Sequence, residues 1–496
     1  MKLFTLIRIW LGCLAFLLSL PLGQAGAARP NVLFIAVDDL NDWVGALGGH
    51  PQARTPNMDR LAKRGLLFTN AHCSAPGCNA SRSSLLTGLR PSTTGIYANA
   101  HDWRQAPKLK GAVTLPRHFR NNGYLTLGTG KLFHAHTFFD KKNLSGYSDP
   151  DAWDDYFPSK TQQMPEEAVP EMWPVNGTKK FYSGHFDWSP LQIPNAEMAD
   201  AKVVSWAARQ LAKSHVQPLF LSVGIYRPHV PWYAPQKYFD RFPLDEIQLP
   251  KHLADDLDDL PENIRRQKIN RSRIHQRLVK LGAVQEALHG YLACMSYADA
   301  QIGRVLDALD AGPYADNTII VLWSDHGYHH GEKGDWGKHT LWERTSNVPF
   351  VWAGPGVAKG ATSDVTVSLI DMYPTFVELC DLPKTPHTLE GTSIAATLAD
   401  PNNAKDREVY LPHMFPESFA IMNREWRYIR YKDGSEELYN VQKDPNEWRN
   451  LAEQAKYVEI KKHLAGKAPK NFAKPVPKRK SKRDLILEGE TFRWKK

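Results

Sequence analysis

The chain is poor in cysteine, with 5 in 496 residues. That scarcity excludes a disulfide-stapled scaffold, and Cys73 and Cys78 lack the C-x-x-C spacing of zinc or thioredoxin sites. No apolar run reaches the roughly 20 residues of a membrane-spanning helix; Ile9 to Leu22 falls short. Gly at 33 and Pro at 35 are too few for a low-complexity chain. The net charge of +9 suggests a nucleic-acid partner until it is located: Lys467 to Arg483 holds eight positives and no acid, which leaves +1 for the rest. A basic tail over 467–496 is attached to a nearly neutral body, so no nucleic acid is expected. What is present, 42% hydrophobic and 23% charged residues, describes a folded globular chain.

The N-terminus carries Lys2 and Arg8, then the apolar run, then Ala25-Gly26-Ala27. These are the three parts of a secretory signal peptide, so residues 1–27 are expected to be removed and the protein exported, periplasmic or extracellular. Cys13 follows a poor lipobox and gives little support for a lipid anchor.

Aliphatic runs alternate with helical patterns, which favours an α/β fold with a large, mostly parallel sheet flanked by helices. Strands are expected at Asn31–Val37, Tyr124–Leu127, Leu219–Gly224, Thr318–Trp323 and Val348–Trp352, and helices at Ser296–Leu309 and Val365–Leu379. Past the strand ends lie Asp38-Asp39, Lys131 and His134, His229, and Asp325-His326. Open α/β sheets bind ligands beyond the carboxyl ends of their strands. From about Leu398 the pattern changes to short strands at Glu408–Met414, Ser418–Met422, Trp426–Tyr431 and Glu437–Val441. The expected division is a catalytic domain over 28–398, a smaller antiparallel subdomain over 399–466, and the tail, wrapped on the surface or mobile.

Asp38 and Asp39 would repel unless a cation or a helix cap neutralises them. With Asp325 and His326 they form an oxygen-rich set that suits a hard divalent ion such as Ca²⁺ better than zinc. In Cys78-Asn79-Ala80-Ser81-Arg82 a cysteine opens a helix and an arginine follows one turn later. That places a reactive group in an anion pocket, although an ordinary buried cysteine fits the same residues.

Those five residues, with Leu85-Leu86-Thr87-Gly88, resemble the type I sulfatase signature of the alkaline phosphatase superfamily. The opening strand with Asp38-Asp39, Gly130-Lys131-Leu132-Phe133-His134, and Leu438-Tyr439-Asn440-Val441 with Asp444-Pro445 match the family in order. Arg227-Pro228-His229-Val230-Pro231 and Ser324-Asp325-His326-Gly327-Tyr328 look most like its iduronate-2-sulfatase branch.

The resemblance implies a sulfuric ester hydrolase whose Cys78 is oxidised to formylglycine (3-oxoalanine) by a formylglycine-generating or other maturing enzyme. Ala80 stands where many signatures have proline and leaves the identity of that enzyme open. One Ca²⁺ would be held by Asp38, Asp39, Asp325, His326 and the modified Cys78. Arg82, Lys131 and Lys338 would gather positive charge around the sulfate, His134 would assist turnover of the hydrated aldehyde, and His229 would protonate the leaving oxygen. A sulfated saccharide is the implied substrate. Trp103, Arg104, Arg227, Tyr328, His329, His330 and Trp336 are candidate sugar contacts or loop packing. Two other classes remain open: a phosphate or phosphonate ester hydrolase of the same superfold, and an inactive glycan-binding relative.

Overall fold

The computed structural model describes residues 29–134, 149–158, 176, 186–271, 273–478, 485–488 and 491–494. The expected signal peptide lies outside the described residues, as does most of the tail beyond Lys478.

The eight strands of the main sheet are β1 (Asn31–Val37), β2 (Leu66–Phe68), β3 (Leu125–Gly130), β4 (Asp155–Phe157), β5 (Leu219–Ile225), β6 (Thr318–Ser324), β7 (Phe350–Ala353) and β8 (Ala361–Ser363), in the spatial order β8-β2-β7-β6-β1-β5-β3-β4. Every neighbouring pair is parallel except the two made by β7, which runs antiparallel to β2 and β6. It follows β6 through the segment 325–349 and returns beside the strand it left. In β1, Leu33, Ile35 and Val37 enter one apolar core and Val32, Phe34 and Ala36 the other. Helices therefore cover both faces, and a strand buried on both sides reads as a continuous apolar run.

One face carries α3 (Ala199–Leu211) and α5 (Val284–Asp310); the other carries α2 (Cys78–Thr87) and α6 (Met372–Leu379). Helix α1 (Pro56–Arg64) packs on α5, and α4 (Glu262–Arg271) puts Ile264 into the core that holds Val32 and Phe34 and bonds through Asn263 to Asp433 between two C-terminal strands. The 27-residue α5 begins well before the expected Ser296, because Gly290 to Asp299 are buried all round and show no polar stripe. The segment expected as one helix over 365–379 is helical only from Leu369 onward, through a 3-10 turn into α6. Its first residues, Val367 and Ser368, pair with Ala71 and His72, and a capping box between Ser368 and Asp371 starts the helix behind them.

The C-terminal strands β9 (Val409–Pro412), β10 (Phe419–Met422), β11 (Trp426–Arg430) and β12 (Glu436–Asn440) form the expected antiparallel sheet. Buried polar contacts join it to the loops beyond β6: Arg427 on β11 donates to Leu341 O and pairs with Glu343, and Lys333 donates to the carbonyl of Glu447 just past β12.

Residues 473–478 of the tail lie as a strap on residues 92–102. Ala473 and Val476 donate backbone hydrogen bonds to Ser92 and Gly95, Asp102 donates to Pro477, and Tyr97 Oη donates to Ala473 O. Val476 is buried with Leu89, Ile96, Ala106 and Leu109. Gly95 has φ 79°, and a Cβ there would sit 2.2 Å from Lys474 O, so the close approach requires glycine.

Candidate active site

Strands β6, β1, β5 and β3 are consecutive neighbours and all parallel, so their carboxyl ends open on one place. Asp38 and Asp39 follow β1, Lys131 follows β3, and Asp325 and His326 follow β6. The loop after β5 brings in His229, and β3 runs three residues past its expected end to deliver Lys131. Cys78 arrives from a different direction, as the first residue of α2.

The Cys78 Sγ lies 3.2 Å from His326 Nε2 and 3.2 Å from Lys338 Nζ. Burial alone would raise its thiol pKa, but Lys338, Lys131 and His326 hold it well below the ordinary value, helped by a hydrogen bond with His134. Cys73, equally buried without such neighbours, has its thiol driven upward.

Arg82 has no exposed surface. Its Nε donates to Asp325 Oδ2 at 2.8 Å, Nη1 to the carbonyls of Lys131 and Leu132 at 2.6 and 2.9 Å, and Nη2 to Asp38 Oδ1 at 3.2 Å. It ties α2 to the ends of β1, β3 and β6. Lys131, equally buried, pairs with Asp38 Oδ2 and lies over the Tyr226 ring. Burial would raise the Asp38 carboxyl, but Lys131 and further cations hold it well below the usual range. Burial outweighs Arg82 at Asp325 and raises that carboxyl to about 6.

Asp39 takes the left-handed conformation, φ 61°, which a non-glycine residue adopts at an energetic cost. Its Oδ1 accepts from Lys338 Nζ at 2.5 Å; its Oδ2 is buried and receives no hydrogen bond among the described residues. Ligand atoms of Asp38, Asp39, Cys78 and His326 all lie within 4.8 Å of one another. The His326 Nδ1–H donates to Gly327 O at 3.0 Å, which fixes the ring and turns Nε2 inward, as a metal-bound imidazole requires. Two carboxylates, one of them with an unpartnered buried oxygen, and one imidazole fit a divalent cation. Asp325 stands beside this group, its Oδ2 3.6 Å from His326 Nε2 and already bonded to Arg82.

His134 is buried next to Cys78, and burial keeps its ring below the ordinary histidine pKa. His229 donates from Nδ1 to Val230 O at 2.6 Å, which leaves Nε2 as the nitrogen that can exchange a proton, 3.8 Å from Asp39 Oδ2.

Of the candidate sugar contacts, Arg227, Tyr328, His329, His330 and Trp336 are buried. Arg227 Nε donates to Tyr233 O, and His330 stacks on Trp43. Trp103 and Arg104 keep part of their surface. Asn79, inside the signature, has a role that the sequence alone does not announce. Its backbone N–H donates to Asn99 Oδ1 and its side-chain amide to Ala98 O and His101 O, so the 98–101 loop caps the helix that carries Cys78.

A sulfatase family model matches residues 30–382, and an N-sulphoglucosamine sulphohydrolase C-terminal model matches residues 331–473. The chain belongs to the sulfatase family. It is 39% identical to a sulfatase of Formosa agariphila over 465 residues, covering 91% of this chain and 88% of that one. It is 31% identical to mouse iduronate 2-sulfatase over 411 residues, covering 73% and 71%. A solved 2-O GAG sulfatase superimposes with a TM-score of 0.67 at 22% identity, covering 88% of this chain and 90% of that one, which shows a shared fold. This sulfatase is a sulfuric ester hydrolase, and among its described residues no helix is long and apolar enough to cross a membrane.

Proposed function

We propose that this sulfatase is exported and removes sulfate from a sugar residue of a glycan, using one Ca²⁺ and a Cys78 matured to formylglycine. The observation that carries the reading is the buried Cys78 Sγ, ringed by Lys338, His326 and His134 beside the Asp38 and Asp39 carboxylates. The names of the mouse relative and of the structural neighbour support a sulfated saccharide, and the pattern of residues 1–27 supports export.

A sulfate ester repels nucleophiles through its own oxygens, so cations must gather before sulfur can be reached. Lys131 and Lys338 would supply positive charge near Cys78, and Arg82 bonds the carboxylates of Asp38 and Asp325. Asp38, Asp39 and His326, with Asp325 beside them, would hold the cation, which supplies Lewis acidity toward the sulfate oxygens. The hydrated aldehyde of residue 78 would supply the attacking hydroxyl. In this reading His134 would accept a proton at residue 78, and His229 would deliver one from Nε2 to the departing sugar oxygen.

The metal is tested by chelation. Activity is expected to vanish with chelator and return with Ca²⁺, because carboxylate oxygens dominate the donor set; return with zinc and not with calcium would show the ligand set to be wrong.

His229 is tested by the leaving group. A sugar hydroxyl needs a proton as the S–O bond breaks, whereas nitrophenol departs as its anion. His229→Ala is expected to lower kcat/KM on a sugar sulfate by about 10²–10⁴-fold and on nitrophenyl sulfate by much less. Equal losses on both substrates would remove His229 from the acid role.

A further inference from the structure

His339 directly follows Lys338, whose Nζ lies 3.2 Å from Cys78 Sγ and 2.5 Å from Asp39 Oδ1. Its backbone takes the left-handed conformation, φ 73°, which a residue with a side chain keeps only where its surroundings hold it. The residues on either side are anchored. Gly337 pairs with His329 in a two-stranded ribbon, Thr340 Oγ1 lies 2.9 Å from His329 Nε2, and Thr345 Oγ1 donates to Thr340 O at 2.9 Å. Lys338 and His339 are the span between these anchors, so the two peptide groups of His339 decide how it turns.

Each of those groups has one partner, and the two partners come from distant parts of the chain. The His339 N–H donates to Pro76 O at 2.9 Å, just ahead of Cys78. The His339 carbonyl accepts from His413 Nε2 at 3.0 Å. A carbonyl carries no proton, so Nε2 is the protonated nitrogen of His413. His413 directly follows β9 in the C-terminal subdomain, where its own N–H donates to Ser418 O at 2.9 Å and its ring packs 5.2 Å from that of Phe415. The donor is thus fixed from the subdomain's side and aimed at the loop that carries Lys338. Without it, the His339 carbonyl is free to turn and the backbone to relax from its left-handed state, and Lys338 moves with it. Misplacement of a charged group by about 1 Å can cost about a hundredfold in rate.

We propose that His413 is a positioning residue, which sets where Lys338 presents its ammonium group to residue 78 by holding the carbonyl of His339. The proposal rests on the sulfatase reading above, in the role given there to Lys338.

The test uses two replacements of similar length. His413→Gln keeps an N–H donor near the position of Nε2, and His413→Met removes it. On nitrophenyl sulfate, which has no sugar, His413→Met is expected to lower kcat/KM about ten- to a hundredfold, and His413→Gln to restore most of that loss. The loss should be as large on a sugar sulfate. In a Lys338→Ala background the same His413→Met change is expected to cost less than about twofold, because the group it positions is gone. A loss confined to sugar substrates, a loss undiminished in the Lys338→Ala background, or no rescue by glutamine would each overturn the positioning role. Crystal structures of the wild type and of His413→Met give a readout independent of turnover, with Lys338 Nζ expected to leave Asp39 Oδ1 in the variant. An unmoved Lys338 would overturn the proposal. A wild type that cleaves no sulfate ester, with Lys338 displaced in His413→Met, would overturn the sulfatase reading and keep the positioning. Should His413→Met not fold, His413→Phe, which keeps a ring beside Phe415 and lacks the donor, takes its place.

Discussion

Cys78→Ala is expected to lower kcat/KM for every sulfate ester by at least about 10⁴-fold, the scale seen when a covalent nucleophile is removed, while changing stability little. The residue is fully buried at the start of α2, and its neighbours Lys338 and His326 approach the sulfur itself. Truncation to alanine takes away one atom and leaves the helix, the Arg82 ties and the carboxylates in place. The uniform loss separates this position from His229, whose effect depends on the leaving group. In active wild-type protein, the peptide containing residue 78 should weigh about 18 Da less than its sequence mass, the difference between a thiol and an aldehyde at that carbon. Active protein carrying only the unmodified thiol would sink the formylglycine mechanism.

Arg82→Met should be the most destabilising single change in the site, by about 3–5 kcal/mol, because it strands buried carboxylates whose partner has gone. Asp38 and Asp325 have no exposed surface, and the carbonyls of Lys131 and Leu132 lose their donors together with them. Arg82→Lys keeps the charge but cannot make four hydrogen bonds in a planar fork, so it should fall between methionine and the wild type. Urea unfolding in chelator, where no bound cation can compensate Asp38, measures the difference. A loss under about 1 kcal/mol for Arg82→Met would show that these bonds contribute little to the fold.

Much of this site is legible in the sequence because its residues sit at the ends of strands that announce themselves. Val32 to Val37 is an unbroken apolar run that stops on two aspartates, and the run Ile319 to Trp323 stops just before Ser324 and Asp325. Chemistry at a strand end needs no long-range information. Contacts set by tertiary packing are what the sequence hides. Arg227 and His330 have the composition of a sugar-binding surface, yet both are buried, one by Tyr233 O and the other among Trp43, Trp232 and Tyr291. The short strands β2 and β8 escape a reading by pattern because three residues carry too little periodicity to register. Asn79 escapes it too, because its role depends on Asn99 and His101, which a local reading of the signature does not reach.

The strap of residues 473–478 sets an order of events for the growing chain. Tyr97 and Ala473 are 376 residues apart, and at about 5–20 residues per second of synthesis the second follows the first by roughly 20–75 s. Throughout that interval Ile96 and Leu109 lack the Val476 side chain that covers them, and the backbone of Ser92, Gly95 and Asp102 lacks its partners. The loop that caps α2 is therefore made early and fastened late. The surroundings of Cys78 reach their final form only once the far end of the chain has left the ribosome.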